Sequence, residues 1–161
     1  MRISILALLF AAVFVSSEFA QSKSNIEGVW SHTEASMSGP NAFKTPMSQP
    51  SIYIFAKKHY SIIYVNGDAP RPIIADVSKA TAEELRNVYV DNFIANAGTY
   101  ELKGGKLTLR PTVAKGPGYM QPNIYTNLSV KINGRTMTMV RDGSNDGPMP
   151  YPLTYKLKRI E

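Results

Sequence analysis

Asn25-Ile26-Glu27-Gly28-Val29-Trp30-Ser31-His32 decides how this chain is read, because it opens the foldable part and holds the only tryptophan. A lone indole at the head of a first strand needs apolar walls around it, and the rest of the chain is a succession of strands able to supply them. The glycine two places earlier predicts a backbone that passes close beneath the ring, where a side chain would obstruct it. With a side-chain period of two, an inward Trp30 sends His32 and Glu34 inward as well.

Outward from that stretch, periodicity defines the elements. The first strand is expected over about residues 26–35. A loop rich in Ser, Gly and Pro runs from there through Pro50, with too many breakers for a strand or helix. Residues 51–56 and 59–65 form a hairpin across Lys57-Lys58, with both faces apolar. Thr81-Ala82-Glu83-Glu84 is a capping box, and Leu85, Val88, Tyr89 and Phe93 come after it at helical spacing, which predicts one α-helix over about 82–95. Strands return at 99–103 and 106–111 around Gly104-Gly105. The longest is expected over 124–132, where Ile124, Thr126, Leu128, Val130 and Ile132 alternate with polar neighbours. Asn133-Gly134 turns the chain into a strand carrying Met137, Met139 and Arg141 on one face. A loop from Asp142 to Pro148 precedes a last strand over 153–160. Its Asp and Asn spacing is like that of a calcium loop, but the closing bidentate glutamate is missing and calcium is set aside.

The total is mainly β: about eight antiparallel strands in up-and-down order with one inserted helix, and eight such strands close into a barrel. A chain of 161 residues suits one such domain, expected over 26–161. Arg2, an apolar run over 3–15 and a more polar stretch to Ala20 have the layout of a secretory signal peptide, residues 1–20, cut after Ala20 or after Ser17. The run is shorter than the ~20 residues of a membrane span. The mature protein is therefore expected to be exported, periplasmic or extracellular, with no transmembrane segment once the signal is removed. With no cysteine, it must stand without disulfides, and thiol catalysis is excluded. The net charge of +6 comes from scattered lysines and arginines rather than a cluster with exposed aromatics, which argues for solubility and edge protection and against nucleic acid.

The chain resembles the lipocalin and calycin barrels, and more narrowly a bacterial, largely uncharacterised lipocalin-like domain family. The resemblance lies in Gly28-x-Trp30, Pro50-Ser51, His59-Tyr60-Ser61, Arg71-Pro72, Thr81-Ala82-Glu83-Glu84 and Ala97-Gly98-Thr99-Tyr100-Glu101, covering residues 26–109. Further on, Tyr125-Thr126-Asn127 stands where the family pattern carries an arginine. The resemblance implies a barrel of eight to ten strands that binds a small apolar molecule, and it brings no catalytic residues.

The candidate sites lie on these faces. Tyr53, Phe55, Tyr64, Tyr100, Met139, Arg141 and Tyr155 are candidate ligand-binding residues, apolar walls with hydroxyl tips and one cation. Arg141 in a partly apolar lumen needs an anion. An internal salt bridge to Glu34 or Glu101 is the first expectation, a ligand carboxylate the second. Gly28, Trp30 and Arg159 are structural, Arg159 stacking its guanidinium on the indole where the last strand meets the first. His32 and Glu34 form a weak catalytic candidate, a general base and the carboxylate that orients it; His59 reads as an exposed strand end. No metal site and no cofactor is expected. The leading reading is an exported barrel, monomer or weak dimer, binding a small hydrophobic or amphipathic ligand. The alternative is a barrel enzyme of isomerase, cyclase or hydrolase type using His32 and Glu34.

Overall fold

The computed structural model describes residues 26–161; the expected signal peptide, residues 1–20, lies outside the described residues. Nine strands form one antiparallel sheet: β1 (Gly28–Met37), β2 (Phe43–Pro46), β3 (Ser51–Ala56), β4 (His59–Val65), β5 (Phe93–Lys103), β6 (Lys106–Ala114), β7 (Thr126–Asn133), β8 (Thr136–Ser144) and β9 (Gly147–Arg159). From β3 to β9 each strand pairs with the next in sequence, β1 pairs with β3, and β1 also pairs with β9, so eight strands close into a barrel. The closing ladder runs from Trp30 opposite Arg159 to Met37 opposite Leu153. With both edges joined, no long strand is left to template aggregation.

The turns are set by residues that tolerate a left-handed backbone. Gly104 and Gly105 both have positive φ, 55° and 78°, between Lys103 and Lys106. Gly134, at φ 57°, takes the first turn position after Asn133. At the two-residue turn between β3 and β4, Lys57 adopts φ 49° without being glycine, a conformation that the rigid pairing of Ala56 with His59 imposes.

Four sequence expectations are corrected in detail. Residues 43–46, inside the breaker-rich loop, form the short strand β2, which pairs with the far half of β1 beyond the reach of β3. The helix is shorter than 82–95. Its capping box forms, Glu84 N–H donating to Thr81 Oγ1 at 3.2 Å and Thr81 N–H to Glu84 Oε2 at 2.8 Å. One turn, α1 (Ala82–Leu85), then widens into a π-wound segment, Arg86–Asp91. Phe93, Ile94 and Ala95 leave the helical pattern because β4 offers a full backbone edge, and Val65 opposite Phe93 begins seven consecutive pairs. The last loop is likewise a hairpin: Ser144 faces Gly147 across Asn145-Asp146, so β9 starts at Gly147 and, at 13 residues, replaces β7 as the longest strand.

The helical segment is tied to the barrel by two cations. Arg71 donates to the Val88 carbonyl at 3.1 Å and lies 5.0 Å from the Phe93 ring centroid, while Lys115 bonds the carbonyls of Val90 and Phe93. Among the described residues no helix is long and apolar enough to cross a membrane.

The core fills one end of the barrel. Trp30, Phe55, Leu107, Met137 and Leu157 have almost no exposed surface and pack at the end where β1 begins and β9 finishes. The indole N–H donates to the Ile26 carbonyl at 2.9 Å, and the Arg159 guanidinium stacks 4.1 Å from the ring centroid. Gly28 serves this stack differently from the close passage under the indole that its spacing suggested. Its φ is +129°, and a Cβ there would fall 2.4 Å from Arg159 Nη1 and 2.5 Å from the Glu161 carbonyl oxygen. Gly28→Ala therefore collides with the clamp and strains the backbone, a cost on the order of 1–3 kcal/mol. Urea unfolding should show that loss, with an unchanged slope.

Candidate functional site

A β-bulge decides what faces the interior along β1. Inward alternation holds for Trp30 and His32, then the register against β9 shifts between His32 and Glu34. The Thr33 hydroxyl, donating to the Lys156 carbonyl at 3.0 Å, holds the extra residue. Ala35 takes the next inward place and is buried. Glu34 is turned to the outer wall, where Lys156 at 2.9 Å and Lys44 at 3.4 Å clasp its carboxylate. These two cations, Lys156 foremost, hold its pKa below the usual carboxylate value. The expected inward pair of His32 and Glu34 is therefore not formed: only the main-chain carbonyl of Glu34 reaches the imidazole, at 2.9 Å from Nε2.

His32 is 2% exposed and enclosed by Tyr53, Tyr64 and Tyr155, each edge-on to it with centroids 5.3–5.8 Å away. A carbonyl only accepts, so Nε2 carries the proton. Nδ1 is then the acceptor that faces the Tyr53 hydroxyl at 3.4 Å. Burial lowers the ring's pKa from 6.5 to about 4, against the smaller opposing pull of the Glu34 carbonyl. At neutral pH the ring is an uncharged spacer that sets the three tyrosines. Burial also raises the pKa of all three, keeping their hydroxyls protonated.

Above this cluster, at the end of the barrel away from Trp30, lies a cavity of about 380 Å³. Its deeper walls are Tyr60, Ile62, Leu109, Leu128 and Met139, with Tyr53, Tyr64 and Tyr155 at one side. Val90 and Tyr119, both exposed, together with Lys115 and Gly116 form its rim. Of the seven sequence candidates, Tyr53, Tyr64, Met139, Arg141 and Tyr155 line it. Phe55 and Tyr100 do not. They form an edge-to-face pair at 5.4 Å toward the Trp30 end, because Phe55 lies opposite Gly28 in the ladder. Between the apolar faces of β3 and β4, the inward choice is Tyr53, Phe55, Tyr60, Ile62 and Tyr64, which leaves Ile52, Ile54 and Ile63 on the outer wall. His59 is exposed at its strand end.

Two cations line the cavity: Lys115 at the rim, bonded to the Val90 and Phe93 carbonyls, and Arg141. The expected internal salt bridge is absent among the described residues: Glu34 belongs to Lys44 and Lys156, Glu101 pairs with Lys103, and the neighbouring Asp142 points outward to Lys106 at 3.0 Å and Ser129 at 2.6 Å. Arg141 Nε is buried without a hydrogen-bond partner, and so is the Tyr60 hydroxyl. The polar neighbours of Arg141 in the cavity are Tyr64 and Tyr155, with Tyr119 close enough to influence both tyrosines. Among the described residues no three histidines or acids gather where they could hold a metal ion.

Sequence reasoning passed over Tyr119, Ile94, Asn96 and Thr126. The first sits in a 3₁₀ turn (Pro117–Met120) whose Gly/Pro composition reads only as loop, Ile94 falls inside the helix expected over 82–95, and Asn96 lies between that helix and the strand expected from 99. Thr126 alone carried a signal, the alternation of β7. No family model matches the chain, nor does any curated protein or solved structure.

His32 makes stability depend on pH. Its folded pKa is depressed, so below about pH 6.5 the unfolded chain takes up a proton that the folded ring refuses until about pH 4. Stability should fall across that window by roughly 3 kcal/mol. His32→Phe should flatten the pH dependence of the urea midpoint between pH 6.5 and 4, and an equally steep dependence in the variant would show that other groups cause it.

Proposed function

We propose that this protein is an exported barrel of the lipocalin-like type that binds a small, largely apolar molecule. The observation that carries this reading is the cavity: about 380 Å³ above a solid floor, with apolar walls and a few convergent polar groups. That volume and that mixture of walls are usual for a small-molecule site. The export half of the reading rests on the basic residue and apolar run of residues 1–20. An acid–base enzyme built on His32 and Glu34 has less support. The carboxylate is on the other face of the wall, and the imidazole spends one nitrogen on a main-chain carbonyl.

Two measurements test the parts separately. Recovery of the protein outside the cytoplasm with an N-terminus at Glu18 or Gln21 supports export; an intact Met1 on the mature protein contradicts it. For binding, protein purified from its own source should release a small molecule on denaturation, seen by mass spectrometry. Thr126 lines the cavity beside Leu109, its partner on the adjacent strand, so Thr126→Trp fills the cavity, and the variant should fold yet lose most of the released material. A wild-type protein that carries nothing and gains no thermal stability with apolar probes would contradict the binding reading.

A further inference from the structure

The cavity has a polarity along its length. Its deep part, Ile62, Leu128 and Met139, is apolar, whereas nearer the rim β8 contributes Arg141, two residues beyond Met139 on the same face. A guanidinium keeps its charge under all ordinary conditions. Taking it out of water without a counter-charge is costly, and proteins usually meet that cost with a carboxylate of their own. Here every acid that the neighbouring strands could offer is engaged on the outer wall: Glu34 with two lysines, Glu101 with Lys103, Asp142 with Lys106. The hydroxyls beside Arg141 supply dipoles but no negative charge, since burial keeps Tyr64 and Tyr155 protonated.

From this arrangement we infer that the ligand is an anionic amphiphile: an apolar tail lies against Ile62, Leu128 and Met139, and a carboxylate pairs with Arg141 near the rim, flanked by the hydroxyls of Tyr64, Tyr155 and Tyr119. The inference rests on the binding reading and specifies its chemical class. A carboxylate matches the planar fork of the guanidinium and accepts from tyrosine hydroxyls at the same time. It also explains a local cost that the fold alone does not need, because β8 would close the barrel equally well with an apolar residue at that position.

Matched ten-carbon probes separate tail from head. Isothermal titration of the full-length mature protein with decanoate and with 1-decanol should show decanoate binding about tenfold tighter or more. Arg141→Met should erase that preference and leave decanol binding intact, Arg141→Lys should keep part of it, and Arg110→Met, on the outer wall, should change nothing. Removing an unpaired cation should also leave the melting temperature of the ligand-free Arg141→Met variant unchanged or raised. Equal binding of acid and alcohol by the wild type would overturn the anionic head while sustaining the cavity reading. Binding of neither would overturn the cavity reading and this inference with it. A steep fall in the melting temperature of Arg141→Met would overturn the inference by making the arginine structural.

Discussion

The closure of β1 on β9 is the constraint on which the remaining features depend. A sheet of eight strands with both edges free would present two unpaired backbones and no enclosed interior. Joining them puts Arg159 opposite Trp30, stacks the cation on the indole and forces Gly28 to stay without a side chain. The same ladder fixes the bulge at Thr33, because Glu34 must meet Lys156 while His32 meets Leu157. One end of the barrel is thereby packed solid, and the cavity lies toward the other.

The two faces of the wall handle charge in opposite ways. Outside, carboxylates are clasped by lysines at high dielectric, where each pair contributes little and mainly keeps the surface soluble. Inside, the ionisable groups are held neutral: a histidine whose pKa burial lowers and tyrosines whose pKa it raises. Arg141 stands apart because no environment can easily remove its charge. A lumen whose cations, Arg141 and the rim residue Lys115, both lie toward its open end has a built-in direction, and a molecule entering it is sorted by which of its ends can meet them.

Much of the fold was legible from residues. The alternation of β7, the Gly104-Gly105 and Asn133-Gly134 turns and the capping box at Thr81 each have one physical reading, and the eight barrel strands follow from them. Less was legible where two readings compete for the same residues. Phe93 and Ile94 continue a helical stripe and also suit a strand, and the unpaired edge of β4 decides between them. A strict period of two carries Glu34 inward, and only the three-dimensional register against β9 reveals the extra residue that carries it out. Arg141 was recognised as needing an anion, but which acids were free to meet it depended on parities along four strands.

The central claim is that the lumen holds a guest whose charge completes Arg141, and the most direct measurement is a crystal structure of the protein as purified from its own source. The account predicts ordered non-protein density beside Ile62, Leu128 and Met139 that ends within hydrogen-bond distance of the Arg141 guanidinium. A lumen filled by the protein's own side chains, or an Arg141 paired with one of the protein's own carboxylates, would contradict it.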